Sequence, residues 1–349
     1  MSEFAGSSLW HRLQRSVGRP FDLVGLGECS LDRVLRLPGR LADLSPLLSD
    51  ALSGGKVRAQ SMAQVGGGQI ATALCAASRL GLRTAFCGVV GDDSDGREIQ
   101  NGLREEGVDV TWVHVLANVP TRSALILVDE RGERLVIEHR HPALLPPAER
   151  DPVPLLTHAR VVHVDATCPE AALALLTQAA ACGCVGSLDL DHAGPQALPL
   201  LQAADLSVLS ASVAMQITRE PMPDSALRHL SQRLRRPLVA TLGEQGSILA
   251  LPTEQGVELV HQSAFPAVRG DAGLCDTTAC GDTYRAALWA SILQVLDEMP
   301  GTCDPRGVLA TAMRAGSAAA AIKCRDLGRW GCPTTSELSA FLRAAELRQ

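Results

Sequence analysis

Aromatic residues are scarce in this sequence, at 3% of the chain, with four Trp, five Phe and one Tyr. A core with so few large rings has to rest on Ala, Leu and Val. Long apolar runs are missing too: none approaches the roughly 20 residues that a bilayer-spanning helix needs, so no membrane span is expected. There is no basic block either. The 32 Lys and Arg and 38 Asp and Glu are spread along 349 residues, giving a formal net charge of −6. Nothing in that distribution would track a phosphate backbone, which excludes nucleic acid as a partner.

Cysteine is present in number but without a framework. There are eleven, an odd count at irregular positions, which fits a reducing compartment, the cytoplasm, rather than a secreted disulfide scaffold. Cys182 and Cys184 have no second Cys/His pair at finger spacing to complete a zinc site. Residues 1 to 20 contain Arg12, Arg15 and Arg19 but no apolar centre of a secretory signal, and Glu3 counts against a transit peptide. They read as a loose, flexible N-terminal extension.

From Phe21 the chain alternates strand-like and helix-like segments. "FDLVGLGECSLD" reads as a buried strand entering a glycine turn with a polar tip at Asp32. An Ala-rich helix starts near Gln69 and stops at Gly81; "TAFCGVV", "RVVHVDA", "CVGSLDLD", "DLSVLS" and "PLVATLG" read as further strands with helical segments between them. That order predicts an α/β fold with a mostly parallel central sheet covered by helices on both faces. Two stretches depart from the alternation. Residues about 33–64 and 110–140 hold short strand-like pieces, the second with a hairpin signal around "DERG".

Ligands of open parallel sheets collect where strands end and helices begin. Four groups fall at such points: Asp32, "GGGQIAT" at Gly66–Thr72, "TLGEQG" at Thr241–Gly246, and "CDTTACGDTYRAAL" at Cys275–Leu288. In the last of these, small residues precede a helix whose first amides lack intrahelical acceptors and whose dipole is positive there. A phosphate could approach those amides at Ala279, Cys280 and Gly281, with Asp282 placed to take a proton from an attacking hydroxyl. The same pattern also describes a well-capped helix, with Thr278 as cap and Asp282 complementing the dipole. A dinucleotide site built on "GLGECS" is a third option, but the final glycine is missing and Leu31 to Pro38 do not read as a helix.

Taken together these segments resemble the ribokinase-like (PfkB) carbohydrate kinases. "GGQIATALCAASRLGLRTAFCGVVGDD", Gly67 to Asp93, is similar to that family's first signature, and "DTTACGDTY" to its second. The resemblance spans about residues 21 to 347 and implies a ribokinase-like three-layer α/β/α domain over 21–349. The excursions at about 33–64 and 110–140 would form a small β-lid, through which a homodimer could pair. It further implies ATP-dependent phosphorylation of a sugar hydroxyl, with Mg²⁺ brought by the nucleotide. Asp282 would be the base, with the amides of Ala279, Cys280 and Gly281 as anion hole. Asp32, Gly67, Gly68 and Gln69 would hold the sugar, and Thr241, Gly243 and Gly246 the nucleotide. Asp276 and Thr278 match positions that hold K⁺ in potassium-dependent members.

The departures from the pattern are specific. Gln69 and Thr72 stand where the family has Asn, and Ser210 and Val213 stand where it has the Asn and Glu that organise magnesium. Cys280 replaces Gly or Ala, which would put a thiol beside the phosphate path with its pKa lowered by the helix terminus. A non-catalytic sugar- or nucleotide-binding relative is the alternative that these departures motivate.

Overall fold

The structure is a computed structural model describing residues 5–41, 57–130, 133–144, 153–273, 275–301 and 304–347. Nine strands form one path in the larger sheet. In chain order these are β1 (Phe21–Leu26), β4 (Thr84–Gly91), β5 (Val108–Asp109), β9 (Ala159–Asp165), β10 (Val185–Leu190), β11 (Leu206–Ser210), β12 (Leu238–Thr241), β13 (Ser247–Thr253) and β14 (Gly256–Gln262). Their spatial order is β14-β13-β12-β11-β10-β9-β1-β4-β5. Every pairing from β12 to β5 is parallel. Parallel strands covered on both faces read as near-continuous apolar runs, and all seven residues of β9 are buried.

Helices lie on both faces. One core packs α2 (Gln69–Arg79), α9 (Cys280–Glu298) and α10 (Pro305–Lys323) on the sheet. The other is built from α5 (Pro169–Ala179), α6 (Ala197–Ala203), α7 (Ala211–Thr218) and α8 (Pro223–Leu234). Ala, Leu and Val dominate both, as the shortage of aromatics requires. The result is the expected three-layer α/β/α domain.

A separate four-stranded sheet forms the lid, in the order β3 (Ser61–Gly67), β2 (Ser30–Arg36), β7 (Ser123–Val128) and β8 (Arg134–His139). The "DERG" hairpin is the antiparallel β7–β8 pair. Arg33 ties the lid to α3 (Ser94–Glu105) through two bonds of 3.0 Å to the Asp95 carboxylate.

Four expectations change. The N-terminal stretch is not loose from Ala5 onward: α1 (Ala5–Arg15) buries Leu9 and Leu13 in the core. Arg12 donates to the Cys184 carbonyl at 2.9 Å and pairs with Asp205, while Arg19 donates to three backbone carbonyls, of Leu156, Ala159 and Cys182. The second excursion is lid only from Ser123, because β6 (Val113–Leu116) pairs with β4 of the large sheet. The β13–β14 hairpin that closes the other sheet edge was not anticipated. Finally, Asp32 is not at a strand tip but inside β2, an inner strand of the lid, opposite Val65 and Ala124. Much of the Pro/Gly/Ser-rich middle of the first excursion, at 42–56, lies outside the described residues.

Candidate active site

The lid and the ends of the parallel strands enclose a cleft of about 830 Å³. Asp32, Gly67, Gly68, Gln69, Asp276, Thr278, Ala279 and Asp282 all line it, so three of the four groups singled out in the sequence converge on one space. Thr241, Gly243 and Gly246 do not line it. They form a tight turn after β12, closed by Leu242 N–H to the Gly246 carbonyl at 2.8 Å. That turn is tied to α9 one residue further on, where Tyr284 donates to Ser247 Oγ at 2.8 Å.

The glycine loop is shaped by close approach. A side chain on Gly67 would meet Asp32 Oδ2 at 2.1 Å, and one on Gly68, whose φ is +97°, would meet the Glu28 carbonyl at 2.3 Å. Both positions therefore exclude a Cβ. Ser30 Oγ donates to Asp32 Oδ1 at 2.7 Å. Burial raises the Asp32 pKa, against the opposing pull of that bond and of Arg122. The Gln69 amide donates to Asp191 Oδ2 at 3.0 Å. Thr72 is buried in α2.

Helix α9 starts without a side-chain cap. Its N-cap is Ala279, at φ 64° in the left-handed region, and Thr278 Oγ1 donates to Asp276 Oδ1 at 2.7 Å instead. The reading of Thr278 as a helix cap therefore does not hold. The first-turn amides have no intrahelical acceptors, although Cys280 N–H reaches back to the Thr277 carbonyl at 3.3 Å. The Cys280 thiol points away from the cleft, to the Ala320 carbonyl and Cys324 Sγ, both at 3.5 Å. Hydrogen bonding with Cys324 and burial push its pKa up, opposite to the lowering expected from the helix terminus.

Asp282, in the first turn, faces the cleft with 15% of its side chain exposed. Burial raises its pKa to about 6, with Asp165 and Asp191 adding to the rise while Arg285 and Lys323 oppose it. Arg285 Nη1 lies 3.5 Å from Asp282 Oδ1, and its Nη2 lies 2.5 Å from Asp189 Oδ1. Asp189 is 1% exposed, and burial raises its pKa to about 8 despite Arg285. Asp165, buried at the end of β9, is likewise raised to about 6. Asp165 and Asp191 line the same cleft as Asp282, while Asp189 lies buried beside Arg285. At neutral pH Asp282 is ionised and more basic than an exposed aspartate.

Three groups were missed by sequence reasoning. Asp189 with Arg285 is one. A second is Glu28, held by Arg122 at 3.1 Å and Arg140 at 2.5 Å, with Arg122 also 2.8 Å from Glu138 of the lid. The third is Lys323, whose Nζ donates to the Asp276 carbonyl at 2.8 Å. No local pattern marks these residues; only the fold brings them together.

The departure at Ser210 and Val213 stands in the structure, and the expected cation position at Asp276 and Thr278 is occupied by donors of the chain itself. Ser210 caps α7, accepting from Val213 N–H at 3.3 Å, and Val213 is buried and apolar, so these two positions offer no carboxylate for magnesium. The side-chain oxygens of Asp276 and Thr278 already accept from donors of the chain.

Comparison with known proteins gives the family and the fold. The model of the pfkB family carbohydrate kinases matches residues 39–335. The chain is 27% identical over 305 residues to a sequence named "Probable fructokinase-3" from Arabidopsis thaliana, covering 81% of this chain and 84% of that one. It is 25% identical over 293 residues to a ribokinase of the same plant, covering 78% and 70%. Among solved structures, Arabidopsis thaliana ribokinase complexed with ribose and ATP superposes with a TM-score of 0.75 at 20% identity, over 93% of this chain and 99% of that one. The fold is that of the ribokinase-like kinases. This chain belongs to the pfkB family of carbohydrate kinases.

Proposed function

We propose that this carbohydrate kinase transfers the terminal phosphoryl group of ATP to a hydroxyl of a sugar or sugar-like molecule, with Asp282 as general base. The observation that supports it best is the placement of Asp282. It is an ionised carboxylate of raised basicity, in the first turn of an uncapped helix, in the same cleft as the Asp32–glycine-loop wall.

In this reading Asp32 accepts sugar hydroxyls, and the approach of Gly67 and Gly68 leaves room for the ring against the loop. Gln69 is held by Asp191, with its amide oxygen left as an acceptor. The acceptor hydroxyl then lies toward Asp282, which takes its proton as the oxygen attacks phosphorus. Amides of Ala279, Gly281 and the rest of the first turn neutralise charge on the transferred group, joined by the helix dipole. Phosphoryl transfer asks little else of a protein beyond positioning. The nucleotide body would rest near the Thr241–Gly246 turn and bring its Mg²⁺ with it, since Ser210 and Val213 supply no site.

The same reading makes the lid edge a pairing surface. Leu135, Val136 and Ile137 of β8 are exposed, on a strand with one unpaired edge, which supports a homodimer through the lid. No helix among the described residues is long and apolar enough to cross a membrane. The eleven irregular cysteines support the cytoplasm as compartment.

The direct test is ADP release from ATP in the presence of a panel of ketoses, aldoses, sugar acids and nucleosides. Release above the sugar-free background with at least one of them is the expected result. A protein that binds members of the panel but releases no ADP with any would instead be a binding-only relative.

A further inference from the structure

We infer that the ammonium of Lys323 stands in the position of a monovalent cation, so that the loop feeding the anion hole is held by a charge built into the chain. Lys323 ends α10, and its side chain is 0% exposed. All three of its N–H donors are matched to oxygens: the Asp276 carbonyl at 2.8 Å, the Asp326 carbonyl at 3.0 Å and Asp276 Oδ2 at 3.4 Å. Two of these acceptors are main-chain carbonyls from two loops that meet under the start of α9. Carbonyls and a carboxylate converging on one buried point form the coordination shell of a bare cation, and here the cation is covalently attached.

The acceptor side is also full. A carboxylate offers about four lone-pair positions. Asp276 Oδ1 accepts from Thr278 N–H at 2.9 Å and Thr278 Oγ1 at 2.7 Å; Oδ2 accepts from Gly328 N–H at 2.7 Å and from Lys323. The Thr278 hydroxyl in turn accepts from Arg134 of the lid at 2.6 Å. A potassium ion could reach Asp276 only by displacing the lysine. Because Lys323 touches neither the cleft nor a reacting atom, it is a positioning residue. It acts by fixing residues 276 to 278, and through them the left-handed turn at Ala279 that opens α9 to the cleft.

The test needs no variant to begin. Wild-type protein is measured in KCl, NaCl and tetramethylammonium chloride at equal ionic strength, for both melting temperature and turnover. Melting temperature and turnover independent of the cation, within about twofold for the rate, are expected, because a site already filled gains nothing from added ligand. A melting temperature that climbs with K⁺ concentration, or a severalfold activation by K⁺ over tetramethylammonium, would overturn the inference. Since the melting arm does not depend on activity, a protein without kinase activity in any salt would count against the proposed function and leave this question answered. Lys323→Ala supplies the second arm. It should melt lower and turn over more slowly in tetramethylammonium, with partial recovery in K⁺ or NH₄⁺, whereas full stability and rate without any small cation would refute the role.

Discussion

Replacing Asp282 by Asn should make the protein more stable at neutral pH while it removes the proposed base. The fold keeps the Asp282 carboxyl protonated up to about pH 6, compared with an ordinary value of 3.8. A carboxyl whose pKa is higher in the folded state favours folding in its protonated form. That advantage is complete below pH 3.8 and is lost as pH rises through about 6. Above that pH the native state bears a charge it holds unfavourably, at an upper bound of ~3 kcal/mol for a shift of this size. Asn has the same shape and no charge, so it escapes the penalty. Its loss of favourable interaction with the helix dipole subtracts about 0.3–1 kcal/mol. With roughly 2 °C per kcal/mol for a chain this long, the melting temperature at pH 7.5 should rise by roughly 4 °C. At pH 4 the two proteins should melt together. Differential scanning fluorimetry across pH 4 to 8 gives both curves. An Asp282→Asn protein that melts at or below wild type at pH 7.5 would refute the argument that Asp282 is held at a cost by its surroundings.

Two further predictions concern the same cleft. Asp32→Ala should weaken sugar binding by about 1.5–3 kcal/mol per lost charged hydrogen bond, with ATP affinity unchanged, as read by calorimetry with each ligand; equal losses for both would make Asp32 a structural residue. Wild-type turnover should fall as pH drops through about 6, where Asp282 takes up its proton. Arg285→Met, by removing the cation 3.5 Å from Asp282, should move that acid limb to higher pH, and Arg285→Lys should return it most of the way. An unmoved limb in Arg285→Met would separate Arg285 from the base.

The parts of this site that were legible in the sequence are those whose chemistry is local. A glycine cluster ahead of an Ala-rich helix, a run of small residues before another, and an aspartate in its first turn are all features of consecutive residues. Apolar strands between Ala-rich helices announced the three layers for the same reason. What stayed hidden is pairing over distance. Lys323 and Asp276 are 47 residues apart, and neither a buried lysine nor its three acceptors leaves a local pattern. Asp189 is one polar residue within an apolar strand, and only the fold sets it against Arg285. The N-terminal helix was misread because its arginines resemble those of a solvated tail; Arg12 and Arg19 instead satisfy carbonyls more than a hundred residues away. At Cys280 the helix-terminus argument was sound physics applied to the wrong direction, since the thiol turns to Cys324 rather than to the phosphate path.

The central claim is that Asp282 takes the proton of the acceptor hydroxyl, and phosphoryl transfer by Asp282→Asn tests it most directly. Using whichever sugar supports ADP release in the wild type, turnover at saturating ATP and the sugar affinity are measured on one preparation whose melting curve shows it folded. The account predicts sugar binding close to wild type with turnover lower by roughly 10²–10⁴, the contribution of a general base. A folded, sugar-binding Asp282→Asn protein that turns over at near-normal rate would contradict it.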